Sequence, residues 1–166
     1  MCIRDRNGID AVKFDVGDYN ECLKAIKDIE NKYGQISILI NNAGITRDAA
    51  LHKMTLQQWN EVINTNLNSA FNLVSSVIGK MRDSGFGRIV HISSVNGQKG
   101  QFGQTNYAAT KSALLWFSKS LALEVASKGI LQKLDLPQYK NQIAELKNQS
   151  VGKSHQSYFI DNKQWA

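Results

Sequence analysis

The apolar positions between residues 10 and 129 alternate between two periods. In "AVKFDV" (11–16), Val12, Phe14 and Val16 alternate with Ala11, Lys13 and Asp15, which predicts a strand. In "DYNECLKAIKDIENKYG", Leu23, Ile26, Ile29 and Tyr33 recur every three to four positions, which predicts a helix closed by Gly34. "ISILI" (36–40) is an apolar, β-branched run without polar alternation, as expected of a strand covered on both faces of a parallel sheet. Thr55 and Gln58 have capping-box spacing and open a long helix. Its stripe of Trp59, Val62, Ile63, Leu67, Ala70, Phe71, Val74 and Ile78 runs on to Met81, and "SGFG" breaks it. "RIVHISS" (88–94) predicts a further strand. A glycine-dotted loop, "VNGQKGQFGQ", then leads into a helix that buries Leu114, Phe117, Leu121 and Val125 and ends near Gly129.

Strands and helices alternating through short links predict an α/β fold with a doubly wound parallel sheet. Right-handed crossovers then put helices on both faces, and ligands bind outside the carboxyl ends of the strands. "NNAG" and "SSVNG" fall at those ends. There is no internal repeat. The termini read differently: "MCIRDR" has no periodicity, and the chain after Ile130 is rich in Gln, Lys and Asn and holds the sole proline, Pro137. A weak helix over 138–147, with Ile143 and Leu146 apolar, is expected there, but no further strand–loop–helix unit.

Composition narrows the picture. A chain of 166 residues, 42% hydrophobic and 20% charged, suits one globular domain. No apolar run reaches the length of a membrane span, and no apolar leader marks a secretory signal. Cys2 and Cys22 form no CxxC pair and no metal-ligand spacing, so a cytoplasmic, reducing setting and no metal site are expected. The net charge of +6 is spread along the chain, which argues against a nucleic-acid face and suits phosphate-bearing small molecules.

Four features carry candidate chemistry. "NNAG" (41–44) follows a buried strand, and small residues there let a ligand approach the backbone. Asn66 sits in mid-helix, where asparagine is a mediocre helix former. Ser94 presents a hydroxyl at a strand's carboxyl end. Tyr107 and Lys111, at i and i+4, share a helix face, and a nearby ammonium favours the phenolate of a tyrosine, which can then exchange a proton near neutral pH. Taken alone, each is as readily an ordinary turn, a polar helix face, a backbone-bonded serine or a surface pair.

Together, their order and spacing resemble the short-chain dehydrogenase/reductase family, with Ser94 thirteen residues before Tyr107. The resemblance runs from about Asp15 to Ile130, and "NNAGITRDAALHKM" and "SSVNGQKGQFGQTNY" look closest to its acetoacetyl-CoA reductases. It implies hydride delivery from a nicotinamide cofactor, NADP(H) rather than NAD(H), to the ketone of an acyl-CoA. Tyr107 would protonate the carbonyl oxygen. Lys111 would tune Tyr107 and bond the nicotinamide ribose, Ser94 would polarise the carbonyl, and Asn66 would anchor a water through its backbone. Asn41, Asn42, Ala43, Gly44 and Ile45 would line the cofactor, with Asp15 and Val16 at the adenine edge. Asp48, Ser94, Gln101, Phe102 and Gln104 would meet the substrate. Relatives of full length are expected to be homotetramers, assembled through the long helices that carry Asn66 and Tyr107. A 3-oxoacyl-acyl-carrier-protein reductase and a non-catalytic remnant or interaction subunit are the alternatives. His91 replaces an Asn common before "ISS", with little effect expected from a position inside a strand.

The chain also departs from that family. The resemblance implies a partial fold that lacks the first strand with its glycine-rich turn (TGxxxGIG), the lid and the last strands. Residues 1–8 read as a non-native leader resembling a translated sequencing adapter. Residues 9–130 read as the partial reductase domain, and 131–166 as a tail outside the family pattern. Weak activity or none is expected of the chain by itself.

Overall fold

The computed structural model describes residues 11–135 and 157–160. Helix α1 (Tyr19–Tyr33) starts where Asp18 accepts the Glu21 N–H and ends at Gly34, whose φ of 86° suits only glycine. Strand β1 (Ile38–Asn41) is buried along its whole length. Helix α2 (Leu56–Ile63) opens with the expected reciprocal capping box between Thr55 and Gln58. A five-residue π-turn, Asn64–Asn68, joins α2 to α3 (Ser69–Ser84). Strand β2 (Gly87–Ile92), the short helix α4 (Asn96–Lys99), helix α5 (Thr105–Val125) and strand β3 (Ile130–Asp135) follow, with a last strand β4 (Ser157–Ile160).

The four strands form one parallel sheet in the order β3-β2-β1-β4. Going from β1 to β2 and on to β3 advances one place each time, with α2–α3 and then α5 as the crossovers, as parallel pairing requires. The main core lies between the sheet and helices α1, α3 and α5, where Ile26, Ile36, Leu39, Leu73, Val77, Met81, Ile89, Val125 and Ile130 are almost fully buried.

Four expectations are corrected. Residues 11–16 form no strand: Asp15 and Val16 enter a turn, where the Asp18 N–H bonds the Asp15 carbonyl and the Asp15 side chain accepts from the Gly17 N–H. The carboxylate competes for the backbone and wins over the short alternation that suggested β structure. Strands do form from Ile130 onward, since β3 pairs with β2 and β4 with β1; in β3 the polar residues Gln132, Lys133 and Asp135 masked the pattern. On α1 the buried face is Cys22, Ala25, Ile26 and Ile29, and Leu23 is exposed. Phe71 likewise faces outward and stacks on Tyr19, at 6.3 Å between ring centroids. The reading of 138–147 as a helix and of 1–8 as a leader lies outside the described residues.

Candidate functional site

The ends of β1 and β2 and the first turns of α5 converge. Lys111, on α5, is 4% exposed, and its ammonium donates to the Ile92 carbonyl at the end of β2 (2.7 Å). Its Nζ lies 5.7 Å from the centroid of the Tyr107 ring, one turn back on the same helix. Burial lowers the Lys111 pKa to about 8. The cation therefore sits beside the phenol in a poorly hydrated place, where its field acts with little screening. The loop after β2 is fastened to the same turn of α5: Ser93 Oγ donates to the Lys111 carbonyl (2.7 Å). Gly97 lies so close that a β-carbon there would stand 2.7 Å from the Lys111 carbonyl carbon and 2.8 Å from the Ser112 nitrogen. Only glycine lets the Ser94 loop rest on the helix at Lys111.

Asn66 supplies the second fastening. In the π-turn the Ser69 N–H reaches the Asn64 carbonyl five residues back. Such an insertion commonly marks a functional segment. The buried Asn66 side chain accepts from the Ile45 N–H (2.8 Å) and donates to the Ile45 carbonyl (3.0 Å) and to Thr110 Oγ1 (3.4 Å). Thr110 in turn donates to the Tyr107 carbonyl (2.8 Å). One amide thus ties the segment after "NNAG" to the helix of the Tyr–Lys pair. Between them, Gly44 leaves room: a β-carbon there would lie 3.5 Å from Lys111 Nζ and 3.6 Å from Asn66 Oδ1.

Asn106 was missed by the sequence reading. It is fully buried, donates to the carbonyls of Arg47 (3.1 Å) and Gln58 (3.3 Å), and accepts from the Tyr107 N–H (2.7 Å). Its position beside the tyrosine was the one available signal. Ser94 lies two residues past the end of β2, and its Oγ accepts from the Asn96 N–H (3.2 Å). Asp48 and Gln104 bond each other across the rim of the site, while Gln101 and Phe102 project outward, Phe102 being 88% exposed. Asn41 and Ala43 are buried, Asn42 and Ile45 half-buried. Asp15 is held by its own turn and by Glu21, whose side chain accepts the Asp15 N–H (2.7 Å). Val16 is buried, and its carbonyl accepts from Asn72 (2.9 Å).

His91 does more than the sequence reading gave it. It is fully buried, opposite Asn41 in the sheet register, and Asn41 Nδ2 donates to its Nδ1 (3.1 Å). The Phe117 ring meets it edge-on at 5.4 Å. Burial, with the Lys111 charge as a second cause, lowers its pKa to about 4. The ring is therefore neutral, and neither Asn41 Oδ1 nor His91 Nε2 has a hydrogen-bond partner among the described residues. Among the described residues no group of three or more His, Cys, Asp or Glu is placed to hold a metal ion, and no helix is long and apolar enough to cross a membrane.

The parallel α/β sheet gathers a serine loop and a Tyr–Lys helix at the carboxyl ends of its strands, the place where such sheets bind ligands. Comparison with known proteins gives the family. The family model described as short chain dehydrogenase matches residues 3–135, and the chain belongs to that family. It is 54% identical over 132 residues to the acetoacetyl-CoA reductase of Shinella zoogloeoides, a match covering 80% of this chain and 55% of the relative. It is 47% identical over 131 residues to a 3-oxoacyl-acyl-carrier-protein reductase of Buchnera aphidicola, covering 79% and 53%. In structure it is similar to a gluconate 5-dehydrogenase from Burkholderia cenocepacia J2315, solved in complex with NADP and tartrate. That likeness has a TM-score of 0.70 at 33% identity and covers 74% of this chain and 49% of the other. The chain spans about half the length of the curated relatives it matches. The relatives it resembles are named as reductases and a dehydrogenase.

Proposed function

We propose that this chain carries the proton-donating half of an NADP(H)-dependent reductase acting on a 3-oxoacyl thioester, with acetoacetyl-CoA as substrate. The observation that supports it most is the buried Lys111 ammonium beside the Tyr107 ring, within a shell closed by Asn66, Ser93 and Gly97. Two features fit a nicotinamide cofactor: the space kept open at Gly44 and the unpaired, buried amide oxygen of Asn41. Asn41, Asn42, Ala43, Gly44 and Ile45 would line it and Lys111 would reach its ribose, with Asp15 and Val16 toward the adenine. The cofactor supplies hydride to the ketone carbon.

The chain's own residues do the rest. Tyr107 gives its phenolic proton to the carbonyl oxygen, and the Lys111 charge stabilises the phenolate left behind. Ser94 donates a hydrogen bond to the same oxygen as negative charge builds there. Asn66 holds the Gly44–Ile45 segment against α5, so that the reacting groups stay in register. Gln101 and Phe102 border the mouth through which the thioester enters. The NADP-bound structural neighbour and the names of the relatives support this reading.

The chain spans about half the length of the curated relatives it matches, so the test places it within a whole protein. The test grafts residues 11–130 in register into the Shinella zoogloeoides acetoacetyl-CoA reductase and follows NADPH absorbance. Turnover of acetoacetyl-CoA that disappears in Tyr107→Phe supports the reading. A folded graft that is inactive, or that prefers the acyl-carrier-protein substrate or NADH, refutes it.

A further inference from the structure

The peptide groups on either side of Tyr107 are both held by buried side chains. Helix α5 begins after Gln104, whose side chain makes no capping bond. The first bond of the helix runs from the Ala108 N–H to the Gln104 carbonyl (2.8 Å). The Tyr107 N–H, one residue earlier, falls among the donors that a helix start leaves without a partner. Asn106 Oδ1 accepts it (2.7 Å), taking the part of an N-cap oxygen. The fully buried Asn106 then donates from Nδ2 to two carbonyls, those of Arg47 (3.1 Å) and Gln58 (3.3 Å). On the other side of the tyrosine, the hydroxyl of Thr110, also fully buried, donates to the Tyr107 carbonyl (2.8 Å) and accepts from Asn66 Nδ2 (3.4 Å).

The two holds end on one short loop. Asn66, which meets Thr110, grips the N–H and carbonyl of Ile45 (2.8 and 3.0 Å). Asn106 grips the carbonyl of Arg47, two residues on. An amide has an acceptor at one end and two donors at the other, so only one orientation of Asn106 answers one N–H and two carbonyls at once. Turned over, it would face three partners of its own kind. The loop after β1 is thus fixed to the Tyr107 backbone from before and from behind. We propose that Asn106 and Thr110 are positioning residues, which hold the backbone of Tyr107 in register with the Gly44–Ile45 segment and so set its phenol over the ligand lying there. The bond to the loop is made at the Arg47 carbonyl, which leaves the Asp48 side chain to the substrate. This placement deepens the proposed function and rests on its assignment of Tyr107 as the proton donor.

Four variants test it. Thr110→Val removes the hydroxyl and keeps the shape, and Thr110→Ser keeps the hydroxyl. Asn106→Ser keeps an acceptor for the Tyr107 N–H but is too short to reach the Arg47 and Gln58 carbonyls. Ile26→Val, in the core on α1, is the control for lost stability alone. In the full 166-residue chain, backbone-amide NMR spectra are compared with wild type. Thr110→Val and Asn106→Ser are each expected to move the signals of Gly44, Ile45 and Asp48 together with that of Tyr107, while Thr110→Ser and Ile26→Val leave them in place. Shifts confined to the first turn of α5 overturn the proposal. In the acetoacetyl-CoA assay on the graft, folded Thr110→Val and Asn106→Ser are expected to lower kcat about tenfold with KM changed less than about twofold, while Thr110→Ser and Ile26→Val keep kcat. An unchanged kcat in the first two, a raised KM in place of a lowered kcat, or a Thr110→Ser as impaired as Thr110→Val overturns the proposal. If the parent graft does not turn over, the proposed function fails, and the NMR comparison alone decides whether the two residues couple Tyr107 to the loop.

Discussion

The buried His91 should make the protein lose stability on mild acidification by an amount that one substitution removes. Its pKa in the fold is lowered to about 4, whereas an ordinary histidine titrates at 6.5. Between those values the unfolded chain binds a proton that the folded chain refuses, so stability rises with pH across the window and falls as pH drops from 6.5 toward 4. The full difference is worth about 3.4 kcal/mol, and about 2 kcal/mol of it is already lost at pH 5. The perturbation is His91→Asn, which can still pair with the Asn41 amide and does not titrate. Urea unfolding followed by tryptophan fluorescence at pH 7 and pH 5 gives the comparison. Carboxylates shared by both proteins contribute equally and cancel in the difference. Wild type is expected to lose about 2 kcal/mol more than His91→Asn between the two pH values. Equal losses would show that the imidazole takes a proton without leaving its place, and the account of its burial would be wrong.

Three further outcomes are expected. The Lys111 ammonium should titrate near pH 8 by NMR of its Nζ, well below exposed lysines; because the unfolded chain holds that proton up to 10.5, stability should rise with pH from 8 to 10.5, and a titration together with the exposed lysines would refute the desolvation argument. Gly97→Ala should cost about 1–3 kcal/mol in a urea midpoint, because its β-carbon meets backbone atoms of Lys111 and Ser112 that cannot swing away; an unchanged midpoint would mean that the loop rests less tightly on α5. Asn66→Ala should cost about 2–4 kcal/mol, since it leaves the Ile45 N–H and carbonyl without their partner, and Asn66→Leu, of similar bulk, should not recover the loss.

The residues that converge at the site were legible because chemistry and spacing coincide there: Asn66, Ser94, Tyr107 and Lys111 lie on elements whose order the apolar pattern already predicted. The capping box at Thr55 and the helix ends at Gly34 and Gly85 were legible for the same local reason. What stayed hidden depends on the third dimension. Asn106 is a buried brace only because Arg47 and Gln58 come to meet it across separations of 59 and 48 residues. His91 looked inert until the register set it opposite Asn41. The apparent strand at 11–16 failed because a period of two over six residues is weak evidence beside an Asp side chain able to close its own turn. Strand β3, with Gln132, Lys133 and Asp135, carries too many polar residues to announce itself, and it forms because β2 offers a parallel edge.

The π-turn at Asn64–Asn68 also bears on how the gene can change. It adds one residue to what would otherwise be an unbroken α-helix, and one residue turns a helix by about 100°. Ahead of the turn, α2 packs on α5; beyond it, α3 packs on α1 and the sheet. The two halves of a single rod thus answer to different neighbours, and the wide turn takes up the extra residue locally, so that neither half is rotated. Deleting one residue between Asn64 and Asn68 would let the turn close to α with α2 and α3 still in phase, and would cost the placement of the Asn66 amide on Ile45 instead. Composition at Asn66 rather than length is then the stricter constraint on this stretch of the chain.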